Sequence, residues 1–487
     1  MSYTEEYIKE KLIKGLDAVH VEVVDESDGC GGKFSCIIVS DKFQGKALLQ
    51  RHRLVNGVLQ EELKNIHAFS QKTFTVDQWK EHQASQYIKV SAPGKVILHG
   101  EHSVVYGKLA IAASLDLRTS VVLQEKHNNK LEIYFSDLKL RKKYDIKDIR
   151  AVFKSQPIPV TDNCEFSYRS PEIIKHDEYI KLLTQSLKLD ECNLEKNQKL
   201  SLLGVFYLYF GILHSSDLPI HALCITVKTE LSIGAGTGSS ASMMVSLAAA
   251  LLKYLTYKMP SLQLKTNSDN NVDPSTFNEP ELGLISKWAF AAEKIIHGNP
   301  SGIDNTVCTY GCMVSFRKGR APIAVNCRKD IRGLLVDTRV PKNTRVMVDK
   351  VSDLKKRRPN ITESILQAME EIADEALELL VHLGELQDNK LDEIAKCYDD
   401  LGELSDLNHN FLRTLNVSHP ALDDVVQIMN SKHLHGKLTG SGGGGYAISL
   451  IPPNISPEDV TELCEKLTAQ GYQPLVTKLG GTGVRVD

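Results

Sequence analysis

Nine residues, Gly234-Ala235-Gly236-Thr237-Gly238-Ser239-Ser240-Ala241-Ser242, constrain this chain more than any others. Glycine adopts positive φ without steric cost, so three alternate glycines let successive backbone N–H groups converge on one point. The small residues after them open an apolar helix, and Ala222 to Lys228 before them reads as a strand. Strand, glycine loop and helix start together form a cradle for a polyphosphate, because unpaired N–H groups and the helix dipole both favour an anion. Ser239 and Ser240 stand where a hydroxyl ligates Mg²⁺. The same glycines also suit a tight strand–helix turn that binds nothing. The loop is not a Walker A sequence, since no Lys-Ser/Thr follows its last glycine, and it lacks the G-x-G-x-x-G spacing of dinucleotide folds. Its company favours the functional reading, for glycine-bearing motifs recur near residues 95 and 440.

A length of 487 residues accommodates about three domains. A net charge of -3 gives no electrostatic footprint for nucleic acid or for an anionic membrane. The 10 cysteines include no C-x-x-C pair and read as reduced core thiols, with Cys308 and Cys312 flanking a strand turn. The apolar run Met243 to Leu252 is too short to span a bilayer, and the charged first helix is no signal peptide. The expected setting is the cytoplasm, with the peroxisome as the alternative.

Residues 1 to 84 read as one small unit. Ser2 and Glu5 suggest a capping box, and Ile8, Leu12, Ile13 and Leu16 share a face of the following helix. Strands are expected at Val19 to Val23, Phe34 to Ser40 and His67 to Phe74, with a helix from Lys46 to Lys64 and another from Thr75. Phe43-Gln44-Gly45-Lys46, Leu49 to Asn56, Glu61-Glu62-Leu63 and Ile66-His67-Ala68-Phe69 resemble the BolA family, a class II KH-type α/β fold. The resemblance implies a monothiol glutaredoxin as partner and a [2Fe–2S] cluster shared with it. His67 matches the family's ligand histidine, and Cys30 sits in the loop where one branch carries a ligand cysteine. Thiolate and imidazole are both competent iron ligands. Gly29-Cys30-Gly31-Gly32 also fits a G-x-x-G string, but it links strands and not helices, and 11 Lys+Arg against 13 Asp+Glu in this unit disfavour nucleic acid.

A short join leads to the strand Tyr87 to Ser91 and to Ala92-Pro93-Gly94-Lys95, where Pro93 and Gly94 are expected to turn the chain. Gly100 marks a second turn that presents Glu101 and His102. The run from Ala92 through His99-Gly100-Glu101-His102 to Val104-Val105-Tyr106-Gly107 resembles the first signature of the GHMP kinases, in the form of the mevalonate kinase family. Gly234 to Ser242 then resembles that superfamily's ATP loop, and Lys437-Leu438-Thr439-Gly440-Ser441-Gly442-Gly443-Gly444-Gly445-Tyr446-Ala447-Ile448 its third signature. Ser232-Ile233 departs from the Pro-Pro usual before the ATP loop.

Lys287 to Asn305 carries two acids, Glu293 near the end of an amphipathic helix and Asp304 after an Asn-Pro-Ser-Gly loop. Acids so disposed suit a division of labour, one holding Mg²⁺ and one beside the attacking hydroxyl. The resemblance implies Asp304 and Lys95 as the catalytic pair. It implies Ser240 and Glu293 as Mg²⁺ ligands, and Lys95, Thr229 and Gly234 to Ser240 as ATP contacts. Glu101, His102 and Thr344 are the implied mevalonate contacts, and Lys342 takes the place of the family's usual basic residue.

The expected fold is α+β. A ribosomal-protein-S5-domain-2-like ATP-binding domain covers residues 85 to 325, and a ferredoxin-like domain covers 326 to 487. Leu200 to Leu213 is expected as a core helix, and Pro474 to Val486 as a closing strand. The expected activity is ATP-dependent phosphorylation of mevalonate by a homodimer, with a phosphomevalonate or sugar kinase as the rival, or a BolA-type iron–sulfur protein whose kinase half is secondary.

Overall fold

A computed structural model describes residues 3–25, 27, 32–79, 87–126, 128–148, 157–190, 192–213, 222–262, 264, 276–298, 300–327 and 329–487. The first unit opens with helix α1 (Glu5–Leu16), whose N-cap is Thr4, with Thr4 Oγ1 accepting from the Tyr7 N–H at 3.2 Å. Ser2, the expected cap, lies outside the described residues. Ile8, Leu12 and Leu16 are buried as expected, but Ile13 is exposed because it falls at the edge of the apolar stripe. Strand β1 (His20–Asp25) runs antiparallel to β2 (Gly32–Val39). Helix α2 (Leu48–Val58) follows, and β3 (Ile66–Phe74) then lies parallel to β2. The helix stops at Val58, short of Lys64, and a 3₁₀ turn forms at Glu62–Lys64. Glu62 is drawn inward there, where Tyr7 and Lys11 both donate to its carboxylate.

The rest of the chain is built on β4 (Tyr87–His99) and the long β5 (Ala110–Glu125), paired antiparallel. The expected turn at Pro93–Gly94 is absent. Strand β4 runs on through a bulge where the register shifts between Pro93 and Lys95. Pro93 has no N–H to give to a ladder, and a bulge tolerates that loss while re-aiming the next side chain. Then come β6 (Lys130–Phe135), β7 (Leu140–Asp145), α3 (His176–Ser186), α4 (Lys196–Leu213) and β8 (Leu223–Thr229). The ATP-loop segment leads into α5 (Ser239–Lys258), followed by α6 (Glu279–His297), α7 (Ile303–Tyr310), β9 (Met313–Phe316) and β10 (Ile323–Val325). Cys308 belongs to α7 and is buried, so it flanks no strand turn, while Cys164 and Cys312 are exposed rather than core thiols.

The last part contains β11 (Ile331–Asp337), α8 (Thr344–Arg357), α9 (Pro359–Glu385), α10 (Leu391–Thr414) and α11 (Pro420–Asn430). It ends with β12 (Gly436–Leu438), β13 (Tyr446–Ile451), α12 (Pro457–Ala469), β14 (Gln473–Leu479) and β15 (Arg485–Val486). The expected closing strand is thus two strands, broken at Gly480, whose φ is positive. Strands β12, β13, β11 and β14 lie side by side in that order, and a single pairing, Leu479 with Leu115, joins β14 to β5. Strand β15 returns to pair with β4 through Arg485–Ser91 and Val486–Val90.

Helix α4 is buried on every side from Ser201 to Leu213, as its unbroken apolar sequence predicts. With α5 and α6 it forms the core behind β4, β5 and β8, including Phe206, Leu247 and Trp288. Each such large side chain withdrawn from water contributes about 1.5–3 kcal/mol. This packed backing fixes the ends of β4, β8, α5 and α6, where the site forms.

Candidate active site

Gly238 is the N-cap of α5 at φ +75, a conformation open to glycine but strained for other residues. A methyl group there would also stand 2.9 Å from Lys95 Cγ. The Lys95 N–H donates to the Thr237 carbonyl at 2.8 Å, so the bulge in β4 and the glycine loop are held together. From that bulge Lys95 Nζ reaches Asp304 Oδ1 at 3.0 Å. Asp304 occupies the first turn of α7, where the helix dipole favours a carboxylate.

Glu293 lies one turn from the end of α6 and is 1 % exposed. Neither of its carboxylate oxygens has a hydrogen-bond partner. Burial, and then the neighbouring Asp304 carboxylate, push its pKa up to about 8. A buried acid without a close partner, facing a cleft, is the kind of group whose burial is explained by a cation. One turn on, His297 brings Nε2 to 3.1 Å from Ser240 Oγ. Among the described residues no group of three or more His, Cys, Asp or Glu is placed to hold a metal. A cation here would therefore take a hydroxyl and a carboxylate from the protein and its other oxygens from phosphate and water, which is how Mg²⁺ is commonly bound. The donor set fits that ion.

These groups open into a cleft of about 540 Å³, within the range of small-molecule sites. Gly234, Gly236, Gly238, Ser239 and Ser240 line it, while Ala235 and Thr237 do not, because alternate residues of the loop face away. Thr229 lines it too, its hydroxyl 2.8 Å from that of Thr119. Phe135, Leu138, Val227 and Met243 supply apolar wall, and His102, Thr344 and Ser441 supply polar wall. His102 Nε2 lies 2.9 Å from the Ser441 carbonyl, and Thr344 Oγ1 lies 3.2 Å from Ser441 Oγ. Lys342 is held against Gly236 and Gly440, and burial together with the charge of Lys95 lowers its pKa to about 8.

Glu101 lines the cleft as well, but its side chain is also engaged elsewhere. Its carboxylate accepts from Lys437 Nζ and, at 3.0 Å, from Asn408 Nδ2, and both members of the ion pair are fully buried. An acid with both oxygens engaged ties the β4–β5 connection to β12 and α10, and has little left for a substrate. The third glycine segment is similarly tied down: Thr439 Oγ1 donates to the Ile97 carbonyl at 2.8 Å, and the Gly443 N–H donates to the Val417 carbonyl at 2.7 Å. Gly442, at φ +70, would place a methyl 2.0 Å from the Val417 carbonyl oxygen, which only glycine avoids.

In the first unit His67 is exposed at the start of β3, and Cys30 lies outside the described residues. The structure thus brings Lys95, Glu101, Ser240, Glu293, Asp304, His102 and Thr344 to one cleft. Sequence reasoning missed His297 as a partner of Ser240, although its spacing of four from Glu293 puts the two on one helix face. It also missed the Lys437–Asn408 clasp on Glu101, which no local pattern announces.

A family model for BolA-like protein matches residues 12–78, and one for the C terminal region of GHMP kinases matches residues 390–483. Mevalonate kinase of Homo sapiens is 35% identical over 403 residues, covering 82% of this chain and 95% of its own. Mevalonate kinase of Arabidopsis thaliana is 32% identical over 404 residues, covering 82% and 99%. Among solved structures, the Methanococcus jannaschii mevalonate kinase aligns with a TM-score of 0.56 at 21% identity, over 81% of this chain and 99% of its own. The L. major mevalonate kinase in complex with R-mevalonate aligns with a TM-score of 0.55 at 22% identity, over 81% and 97%. At those identities the structures speak for the fold alone.

Proposed function

The chain belongs to the mevalonate kinase family, and on that premise we propose that residues 85 to 487 transfer the terminal phosphoryl group of ATP to the 5-hydroxyl of (R)-mevalonate, a step of isoprenoid and sterol synthesis. The observation that carries this reading is the Lys95–Asp304 pair, 3.0 Å apart, opening into the same cleft as the buried, unpartnered Glu293.

Phosphoryl transfer asks for alignment and charge neutralisation more than for covalent help. The backbone N–H groups of Gly234 to Ser240 and the start of α5 hold the phosphates, with Lys342 adding positive charge against them. Lys95 Nζ, 3.0 Å from Asp304 Oδ1, pairs with that carboxylate and stabilises negative charge growing on the alcohol oxygen. Asp304 accepts that alcohol's hydrogen bond and takes its proton as the bond to phosphorus forms. Ser240 Oγ and the Glu293 carboxylate are the groups that would hold Mg²⁺, which supplies neutralisation of the phosphate oxygens when bound. His102, Ser441 and Thr344 orient the polar groups of the acceptor.

The test is ADP release by the full chain with mevalonate, phosphomevalonate and galactose offered in turn. Mevalonate should be preferred by orders of magnitude in kcat/KM. Preference for either of the others would replace this reading with another GHMP kinase, and failure with all three would leave the iron–sulfur half as the working one.

We read the chain as three units, 1–84, 85–325 and 326–487. The order β12–β13–β11–β14 supports a ferredoxin-like C-terminal unit. The assembly is read as a homodimer in the cytoplasm or peroxisome, which sizing and fractionation test. Among the described residues no helix is long and apolar enough to cross a membrane. For residues 1–84 the proposed partner is a monothiol glutaredoxin with a shared [2Fe–2S] cluster, supported by the exposure of His67 and the match to BolA-like protein. Mixing the two proteins under reconstituting conditions should give visible cluster absorbance that His67→Ala changes; an unaltered spectrum removes His67 from the ligands.

A further inference from the structure

The hydroxyl of Ser240 has one proton and two lone pairs, and it serves a cation only through a lone pair. Where the proton points is therefore decisive. Glu293, the nearest acid, has no partner at hydrogen-bond distance on either oxygen, although the Ser240 hydroxyl is near enough to hold its pKa down against burial. The Ser240 hydroxyl instead has His297 Nε2 at 3.1 Å. His297 is the last residue of α6, one helical turn beyond Glu293 and so on the same face. Gly298 ends the helix immediately after it, with its N–H donating to the Lys294 carbonyl at 2.9 Å. That close holds the ring at the cleft wall, where both His297 and Ser240 are lining residues.

We infer that His297 is a positioning residue for the divalent cation: its Nε2 accepts the Ser240 hydroxyl proton, which turns the oxygen's lone pairs toward the space in front of Glu293. A neutral imidazole does this with one nitrogen and adds no positive charge to compete with the ion. The tautomer required carries its own hydrogen on Nδ1. One face of α6 thus provides both a carboxylate for the cation and the group that aims the cation's hydroxyl ligand. This inference rests on the reading of Ser240 and Glu293 as the cation's ligands. It adds that the hydroxyl is directed from α6 and not left free to rotate. Groups that orient a ligand from behind typically carry a 10–100-fold share of metal affinity, so about tenfold is the effect to expect here.

The experiment measures Mn²⁺ binding by electron paramagnetic resonance to the full chain, in the presence of a non-hydrolysable ATP analogue. Wild type, Ser240→Ala, His297→Ala, His297→Gln and the double variant Ser240→Ala/His297→Ala are compared. His297→Ala should raise the Mn²⁺ Kd about tenfold. His297→Gln, whose amide oxygen accepts the same proton, should recover most of that loss. The double variant should bind no more weakly than Ser240→Ala, since His297 acts through Ser240. Affinity for the analogue without metal should stay the same in His297→Ala and His297→Gln, which a general loosening of the cleft would not allow. If Ser240→Ala weakens Mn²⁺ but His297→Ala stays within twofold of wild type, the ligand reading stands and this inference falls. Losses that add in the double variant, or no recovery with Gln, overturn it equally. If Ser240→Ala itself has no effect, the ligand reading and the inference fall together.

Discussion

Asp304→Asn separates chemistry from metal binding, because the two effects have opposite signs. The amide keeps the shape of the side chain and can still accept from Lys95 Nζ, 3.0 Å away in the parent, so the α7 start should hold its place. What disappears is the acceptor for the alcohol's proton and the negative charge that balances Lys95. Loss of such a proton acceptor costs about 10²–10⁴ in rate. At about 1.36 kcal/mol per decade, that is roughly 3–5 kcal/mol of transition-state stabilisation. The metal site should respond the other way. Glu293 holds its proton up to about pH 8, partly because the Asp304 carboxylate repels its charged form. Removing that neighbour lowers the Glu293 pKa, so at neutral pH less proton competes with the cation. The assay pairs steady-state kcat with Mn²⁺ affinity in the presence of an ATP analogue. The expected result is a kcat at least a hundredfold lower beside metal affinity unchanged or tighter. A kcat within tenfold of wild type, or metal binding that falls in step with kcat, would refute the assignment of Asp304.

Three other perturbations bear on the site. The Glu293 pKa lies above that of an unfolded chain, so between about pH 4.5 and 8 the folded protein binds the extra proton and stability falls as pH rises. Glu293→Gln should therefore raise the melting temperature of the metal-free protein at pH 8 and leave it nearly unchanged at pH 4.5; equal shifts at both would contradict the burial argument. Lys437→Met strands the Glu101 carboxylate in the interior and should destabilise the kinase part by about 3–5 kcal/mol in urea unfolding, with Glu101→Gln added in the same chain restoring much of it. Gly238→Ala combines a positive φ with a methyl pressed on Lys95, and should cost about 1–3 kcal/mol of stability along with a clear drop in kcat. Normal kcat in that variant would mean Lys95 moves aside without consequence.

The parts that were legible in the sequence are those written in local chemistry. Glycine spacing announced the positive-φ loop that opens α5 and lines the cleft, the unbroken apolar run announced α4, and two acids separated by a helix end and a loop singled out Glu293 and Asp304. Convergence of Lys95 on Asp304 rested on family resemblance, since nothing in either segment encodes a 3.0 Å meeting across the fold. The misread parts depended on distant partners. Pro93 and Gly94 look like a turn in isolation, yet pairing with β5 on one side and the glycine loop on the other keeps the strand going as a bulge. Glu101 looks like a polar residue at a turn tip, and only Lys437 and Asn408, more than 300 positions away, turn it into a buried clasp. His297 was within reach of helical periodicity, since a spacing of four from an acid already singled out is a pattern the eye can check.

The pairing of β15 with β4 bears on the order in which the molecule is made. Ser91 and Asp487 are joined by a hydrogen bond across 396 positions, and the strand that carries Lys95 has β15 as one of its two neighbours. Domains usually fold as they leave the ribosome, the earliest first. Every strand of the small opening sheet is available once residue 74 has emerged, whereas the strand of Lys95 stays half-clothed until almost the whole polypeptide has been synthesised. The opening unit therefore has a long interval in which to fold before the cleft around Lys95 exists.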